Sequence, residues 1–180
     1  MSGILDFLSE HSVAEHKEYL NNLRLRYSIL LKSEERLSGL TPTGIRQRRD
    51  IPRELRREAL EILCEIRLHE TYFSSFGKCG AHLSILREHY GSESSFLYEA
   101  LRASRDFGAG YMTFGCIRGV PIFSVERTAI AAYNDSAVLC IDLYEHAYFR
   151  DFGHRREEYL RTALMHLDLT RLSQISDLSD

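Results

Sequence analysis

Eight histidines are spread over the 180 residues, and three of them have neighbours with which they could do chemistry. His11 heads a long mixed run in which Glu15 and Tyr19 follow at four-residue steps, so a helix would put all three on one face. His69 closes a second such run, in Leu-His-Glu-Thr-Tyr-Phe, with Glu65 one helical turn before it. The third place is Asp142-Leu-Tyr-Glu-His-Ala-Tyr148, which holds Glu145 and His146 and follows the apolar Leu139-Cys-Ile141. A carboxylate at the end of an apolar strand is costly unless it is paired or metal-bound. His11, His69, Asp142 and His146 together offer three imidazoles and one carboxylate, a donor set for a first-row transition metal. The lack of a cysteine among them disfavours a soft-metal site. On spacing alone a second reading stands, in which Asp142 caps a helix and the histidines pair locally. His82, His89, His154 and His166 have no such setting and read as surface residues.

Long elements must carry these residues. Over 12–32, Leu20, Leu23, Tyr27, Leu30 and Leu31 recur at spacings of three and four, one apolar face of a helix. Residues 38–50 hold two Gly, a Pro and no apolar period, and read as a connector. Asp50 is expected to cap the next helix, with Pro52 in its first turn. That helix carries Leu55, Ala59, Ile62, Ile66 and Tyr72 and is expected to end near Phe76-Gly77. Two long helices joined by a connector suggest an antiparallel hairpin, which would return His69 to His11. Residues 80–104 read as two shorter helices broken at Gly91-Ser92. The segments 108–118, 121–126 and 129–142 are short, aromatic or β-branched, and separated by turn-like pieces, with Gly119 at the first reversal. A helical pattern returns through Leu160, Leu164 and Leu167. The expected class is α+β, with a helical hairpin domain over 1–78 and an α/β domain over 79–180.

Composition narrows the function. At 44% hydrophobic residues the chain can build a core without disulfide staples. With 23 Lys+Arg against 26 Asp+Glu the net charge is -3, which argues against a nucleic-acid partner. No apolar run approaches the roughly 18 residues of a membrane span, and the first residues do not read as a secretory signal. The four cysteines (Cys64, Cys79, Cys116, Cys140) are far apart and form no C-x-x-C, so they are expected to be reduced thiols in a cytoplasmic protein. RQRRD and RREE read as solvated charge clusters.

The run DLYEHAYFRDFGHRREEYL (142–160) resembles the iron/manganese superoxide dismutase family, whose hallmark is D-x-W-E-H-A-Y-Y followed by R-x-x-Y. Asp142, Glu145, His146, Ala147 and Tyr148 fall on it, with Arg156 and Tyr159 after them. HSVAEHKEYLNNL (11–23) is similar to the family's H-x-x-x-H-H-x-x-Y-V-N-N-L, with His11 on the first ligand, His16 on the last of the paired histidines and Tyr19 on the gateway tyrosine. HETYF (69–73) is similar to the second-ligand run, and GAGY (108–111) to the G-S-G-W that opens the first strand. The resemblance implies a helical hairpin followed by an α/β lobe with a three-stranded antiparallel sheet. It also implies one Fe or Mn ion held by His11, His69, Asp142 and His146, with Tyr19 guarding the approach. The implied activity converts superoxide to dioxygen and hydrogen peroxide. The implied assembly is a homodimer in which Glu145 accepts a hydrogen bond from His146 of the other subunit.

The departures from the family pattern lie around the implied ion. Phe73, Tyr111 and Tyr144 stand near the places of the family's tryptophans. The iron-type glutamine falls on Glu65, and the loop that carries the manganese-type glutamine reads Tyr133-Asn134-Asp135. One turn before His69, Glu65 is expected to face the metal. Glu15 replaces the first of the paired histidines, and Phe149 the second tyrosine of the hallmark. The expected function is superoxide dismutation. The alternative is a non-enzymatic dimeric metal-binding or interaction protein of the same fold that has lost its redox tuning.

Overall fold

The structure, a computed structural model, describes residues 3–77 and 84–172. Cys79, His82 and the expected domain boundary after residue 78 lie outside the described residues. Helix α1 spans Glu10–Ser33, and the Ser9 hydroxyl caps it by accepting from the Ser12 N–H. Its buried positions are Ser12, Val13, His16, Leu20 and Leu23. The stretch expected as a plain connector contains a short helix α2, Pro42–Gln47, capped by Thr41 and opened by Pro42. Helix α3 spans Arg53–Ser74. Its N-cap is Pro52, not Asp50, whose carboxylate is instead taken by Arg48 and Arg36.

The two long helices run antiparallel. His16 near the start of α1 lies against His69 and Phe73 near the end of α3, and Leu20, Leu23, Ile62 and Ile66 pack between them. Helices α4 (Ser84–Tyr90) and α5 (Glu93–Arg105) follow, with the break at Gly91-Ser92. Strands β1 (Tyr111–Ile117) and β2 (Val120–Glu126) form a hairpin. Its two turn residues, Arg118 and Gly119, both have left-handed φ, of 51° and 75°. Positive φ at both central positions is what a tight hairpin turn requires. The segment Ala129–Ala132, expected in a strand, is a helical turn, α6, capped by Thr128. Strand β3 (Ala137–Asp142) completes an antiparallel sheet of order β2-β1-β3. Helices α7 (Phe149–Phe152) and α8 (Arg156–Met165) follow, and residues 170–172 are again helical at the end of the described chain.

β3 is an edge strand, and α3 covers it. The Cys140 N–H donates to the buried Ser75 hydroxyl at 2.7 Å just past the end of α3. The same stretch of chain is tied to the segment after α8: Gly77 N–H donates to the His166 carbonyl at 3.1 Å and Asp168 N–H to the Ser75 carbonyl at 2.8 Å. One core runs through both halves, joining Leu8, Val13 and Tyr72 to Phe96, Phe114, Leu139 and Leu160. Among the described residues no helix is long and apolar enough to cross a membrane.

Candidate metal centre

Asp142, the last residue of β3, is fully buried. Its backbone is fixed by the Tyr159 hydroxyl, which donates to its carbonyl at 2.8 Å. Its Oδ1 accepts from the Tyr144 N–H at 2.9 Å. The other carboxylate oxygen, Oδ2, lies 3.0 Å from His146 Nε2, 3.2 Å from His16 Nε2 and 3.4 Å from His69 Nε2. The donor atoms of these four residues all lie within 4.8 Å of one another. They come from the first helix, the second long helix, the end of the sheet and the turn after it.

The donor chemistry fits a metal. His69 Nδ1 lies 2.8 Å from the Glu65 carbonyl, which can only accept, so Nδ1 carries the proton and Nε2 presents a lone pair to the cluster. His69 Nε2 and both ring nitrogens of His16 are buried without a hydrogen-bond partner. Such orphaned buried atoms are rare and call for an occupant. Donors about 2.0–2.2 Å from one ion stand some 3.0–3.5 Å apart at ordinary coordination angles, the separations found round Asp142 Oδ2. Burial of His69 holds its pKa down at about 4, so it is neutral at physiological pH, the form a metal needs. Burial pushes Asp142 up, but the opposing effects, led by the hydrogen bond and charge of His146, outweigh it and keep the carboxyl well below its ordinary range.

The residue expected as first ligand is not in this group. His11 lies in the first turn of α1 with its side chain 63% exposed and its Nε2 3.4 Å from Glu15. His16 takes that place. The reason is helical phase: Val13, His16, Leu20, Leu23 and Tyr27 follow one another at spacings of three and four. At 100° per residue His11 points nearly opposite this stripe. The register of the apolar face was the signal that would have found His16.

Aromatic rings wall the cluster. The His146 ring stacks on Tyr19 at 4.7 Å and on Tyr144 at 5.7 Å. Phe73 meets His16 at 5.0 Å, and Tyr111 meets His69 at 6.0 Å. Glu65 faces this site, with its Oε2 accepting from the Tyr19 hydroxyl at 3.1 Å. Burial raises the pKa of Glu65, and burial together with the Glu65 charge raises that of Tyr19. Asn134 and Asp135 are used elsewhere: Asn134 accepts from Ser136 N–H, and Asp135 accepts from Thr43 and Tyr133.

A pocket of about 770 Å³ opens over the cluster, lined by Glu15, His16, Tyr19, Glu145, His146, Phe149 and Arg150. Glu145, expected at a subunit bridge, is exposed on this rim next to His146. Sequence reasoning gave Arg150 no role, yet its guanidinium holds both oxygens of Glu15 at 2.7 Å.

The model of the iron/manganese superoxide dismutase C-terminal domain matches residues 79–174, more than half of the chain. The chloroplastic iron superoxide dismutase 3 of Arabidopsis thaliana is 29% identical over 83 residues, 43% of this chain and 32% of that relative. The chain thus spans about a third of the length of the curated relative it matches. With the matched segment carrying the sheet, Asp142 and His146, the chain belongs to the iron/manganese superoxide dismutase family.

Proposed function

We propose that the chain is a superoxide dismutase that holds one iron or manganese ion through His16, His69, Asp142 and His146. The observation that carries this reading is the convergence of three imidazole nitrogens on one buried carboxylate oxygen, with both nitrogens of His16 and Nε2 of His69 left unpartnered. When bound, the metal supplies a one-electron couple able to oxidise one superoxide to dioxygen and reduce another to peroxide. The chain's own residues position and protonate. Tyr144 N–H and Tyr159 fix Asp142 so that Oδ2 faces the rings, and the Glu65 carbonyl fixes the tautomer of His69. The walls of Phe73, Tyr111 and Tyr144 limit water at the cluster. Tyr19 and Glu65 share a hydrogen bond and both have raised proton affinity, so this pair holds protons next to the place where peroxide must be protonated. The reading includes a homodimer bridged by Glu145 and a cytoplasmic location, the latter supported by the free, buried thiols of Cys64, Cys116 and Cys140.

Glu65 favours the second reading, a metal-binding relative without turnover. An ionised carboxylate only accepts hydrogen bonds, whereas an amide also donates. A cytochrome c competition assay on the iron- and manganese-loaded protein decides between the two. The proposal expects catalytic loss of superoxide that Asp142→Ala abolishes. Loaded protein with no more activity than Asp142→Ala contradicts it.

A further inference from the structure

The pocket above the cluster carries an ion pair that the metal site itself does not need. Glu15 on α1 and Arg150 on α7 meet across its rim through two hydrogen bonds of 2.7 Å, while both side chains remain about half exposed. His11 Nε2 stands 3.4 Å from Glu15, with its side chain exposed. Neither charge touches the cluster below, and the rim has a separate tether: Ser9 N–H donates to Asp151 at 2.9 Å, also joining the start of α1 to α7. The pair is therefore not required to hold the mouth together.

We propose that Arg150 is the anion-recruiting residue of this site and that Glu15 restrains it. Paired, the two charges cancel at distances longer than their separation, so an approaching small anion sees little field from them. A free guanidinium at the mouth of a low-dielectric pocket would raise the local anion concentration and the association rate. A lone carboxylate there would lower both. The inference rests on the metal-site reading, and it specifies the class of ligand admitted, a small monovalent anion, and the residues that set its rate of entry. Arg150 and Glu15 act on the ligand through its approach and are positioning residues.

The test uses azide as the anion and the metal-loaded protein, with the ligand-field absorbance change followed by stopped flow. Metal content is measured first for each protein. At ~10 mM salt, where the screening length is about 30 Å, Glu15→Gln should bind azide about 3-fold faster than wild type, and Arg150→Gln about 3-fold slower. The double variant, neutral again at the rim, should return to the wild-type rate. All four rates should converge near 1 M salt, where the screening length is about 3 Å. A steric or folding defect would persist in high salt and would leave the double variant at least as impaired as the worse single one. Failure of all proteins to take up metal overturns both this inference and the metal-site reading. Metal uptake without azide binding, or with azide rates that do not follow rim charge, overturns this inference alone.

Discussion

Asp142 is held by contacts that do not involve the imidazoles, and this determines how its environment fails. Tyr159 is fully buried and stacks on Tyr148 at 4.7 Å while its hydroxyl supports the Asp142 carbonyl. Tyr159→Phe keeps the ring and leaves that carbonyl short of a donor, at a cost of about 1–3 kcal/mol. Chemical denaturation should show that loss, and a chelator should strip metal faster from the variant. Unchanged stability and metal retention would mean that the hydroxyl supports nothing. At this scale the sequence was legible where residue type and local order coincide: Asp142 after an apolar run, His146 four residues on, and Glu65 one turn before His69. It pointed to His11 through the hairpin's return and the family's first-ligand position, whereas helix phase points to His16. Leu20, Leu23 and Tyr27 mark the inward face, on which His16 lies and His11 does not. The partnership of Glu15 with Arg150, 135 residues apart, leaves no local trace in the sequence.

Between elements, the docking of α1 on α7 depends on a carboxylate. Asp151 accepts from the Ser9 N–H next to the capping hydroxyl of α1. Partial burial pushes Asp151 up, but hydrogen bonds from Ser12 and Ser9 and the Arg150 charge outweigh it, so its pKa lies below the ordinary 3.8. For a depressed carboxyl the stabilisation is complete above the unfolded value and is lost as pH falls through the folded one. Wild type should therefore exceed Asp151→Asn by about 0.5–1 kcal/mol at neutral pH. That gap should close as the pH falls below about 3.8. Denaturation curves that stay equally separated from pH 7 to pH 2 would contradict this. The long helices and the β1–β2 hairpin were legible because their periods and the Gly119 turn are local signals. The short helices α4 and α5 were also legible, but α2 and α6 were not. Thr41-Pro42 and Thr128 are both capping signals, but the Gly content of the connector and the small apolar Ala129–Ala132 obscured them. Asp50 looked like a cap, yet Arg48 two residues before it offers a stronger, charged partner.

Across the whole molecule, the shared core and the β3–α3 contact bring four chain segments to one point, and the resulting site opens onto a surface where Glu145, His146 and Phe149 are exposed. The proposed homodimer would meet at the Glu145 side of this surface, through reciprocal bonds between Glu145 of one copy and His146 of the other, as two-fold symmetry requires. Glu145→Ala should weaken both dimer and metal retention. Sedimentation and chelator challenge check this, and a variant that stays dimeric with its metal would remove the bridge. The order of the large elements could be read from the chain, whereas the assembly could be inferred only from resemblance, since a lone Glu145 beside a histidine has no distinctive pattern. The central claim is that His16, with His69, Asp142 and His146, holds the ion. Metal content per chain in wild type, His16→Ala and His11→Ala, each purified with iron or manganese supplied, tests it most directly. Close to one ion per chain is expected in wild type and His11→Ala, with a large loss in His16→Ala; loss of metal from His11→Ala with retention in His16→Ala would overturn this ligand set.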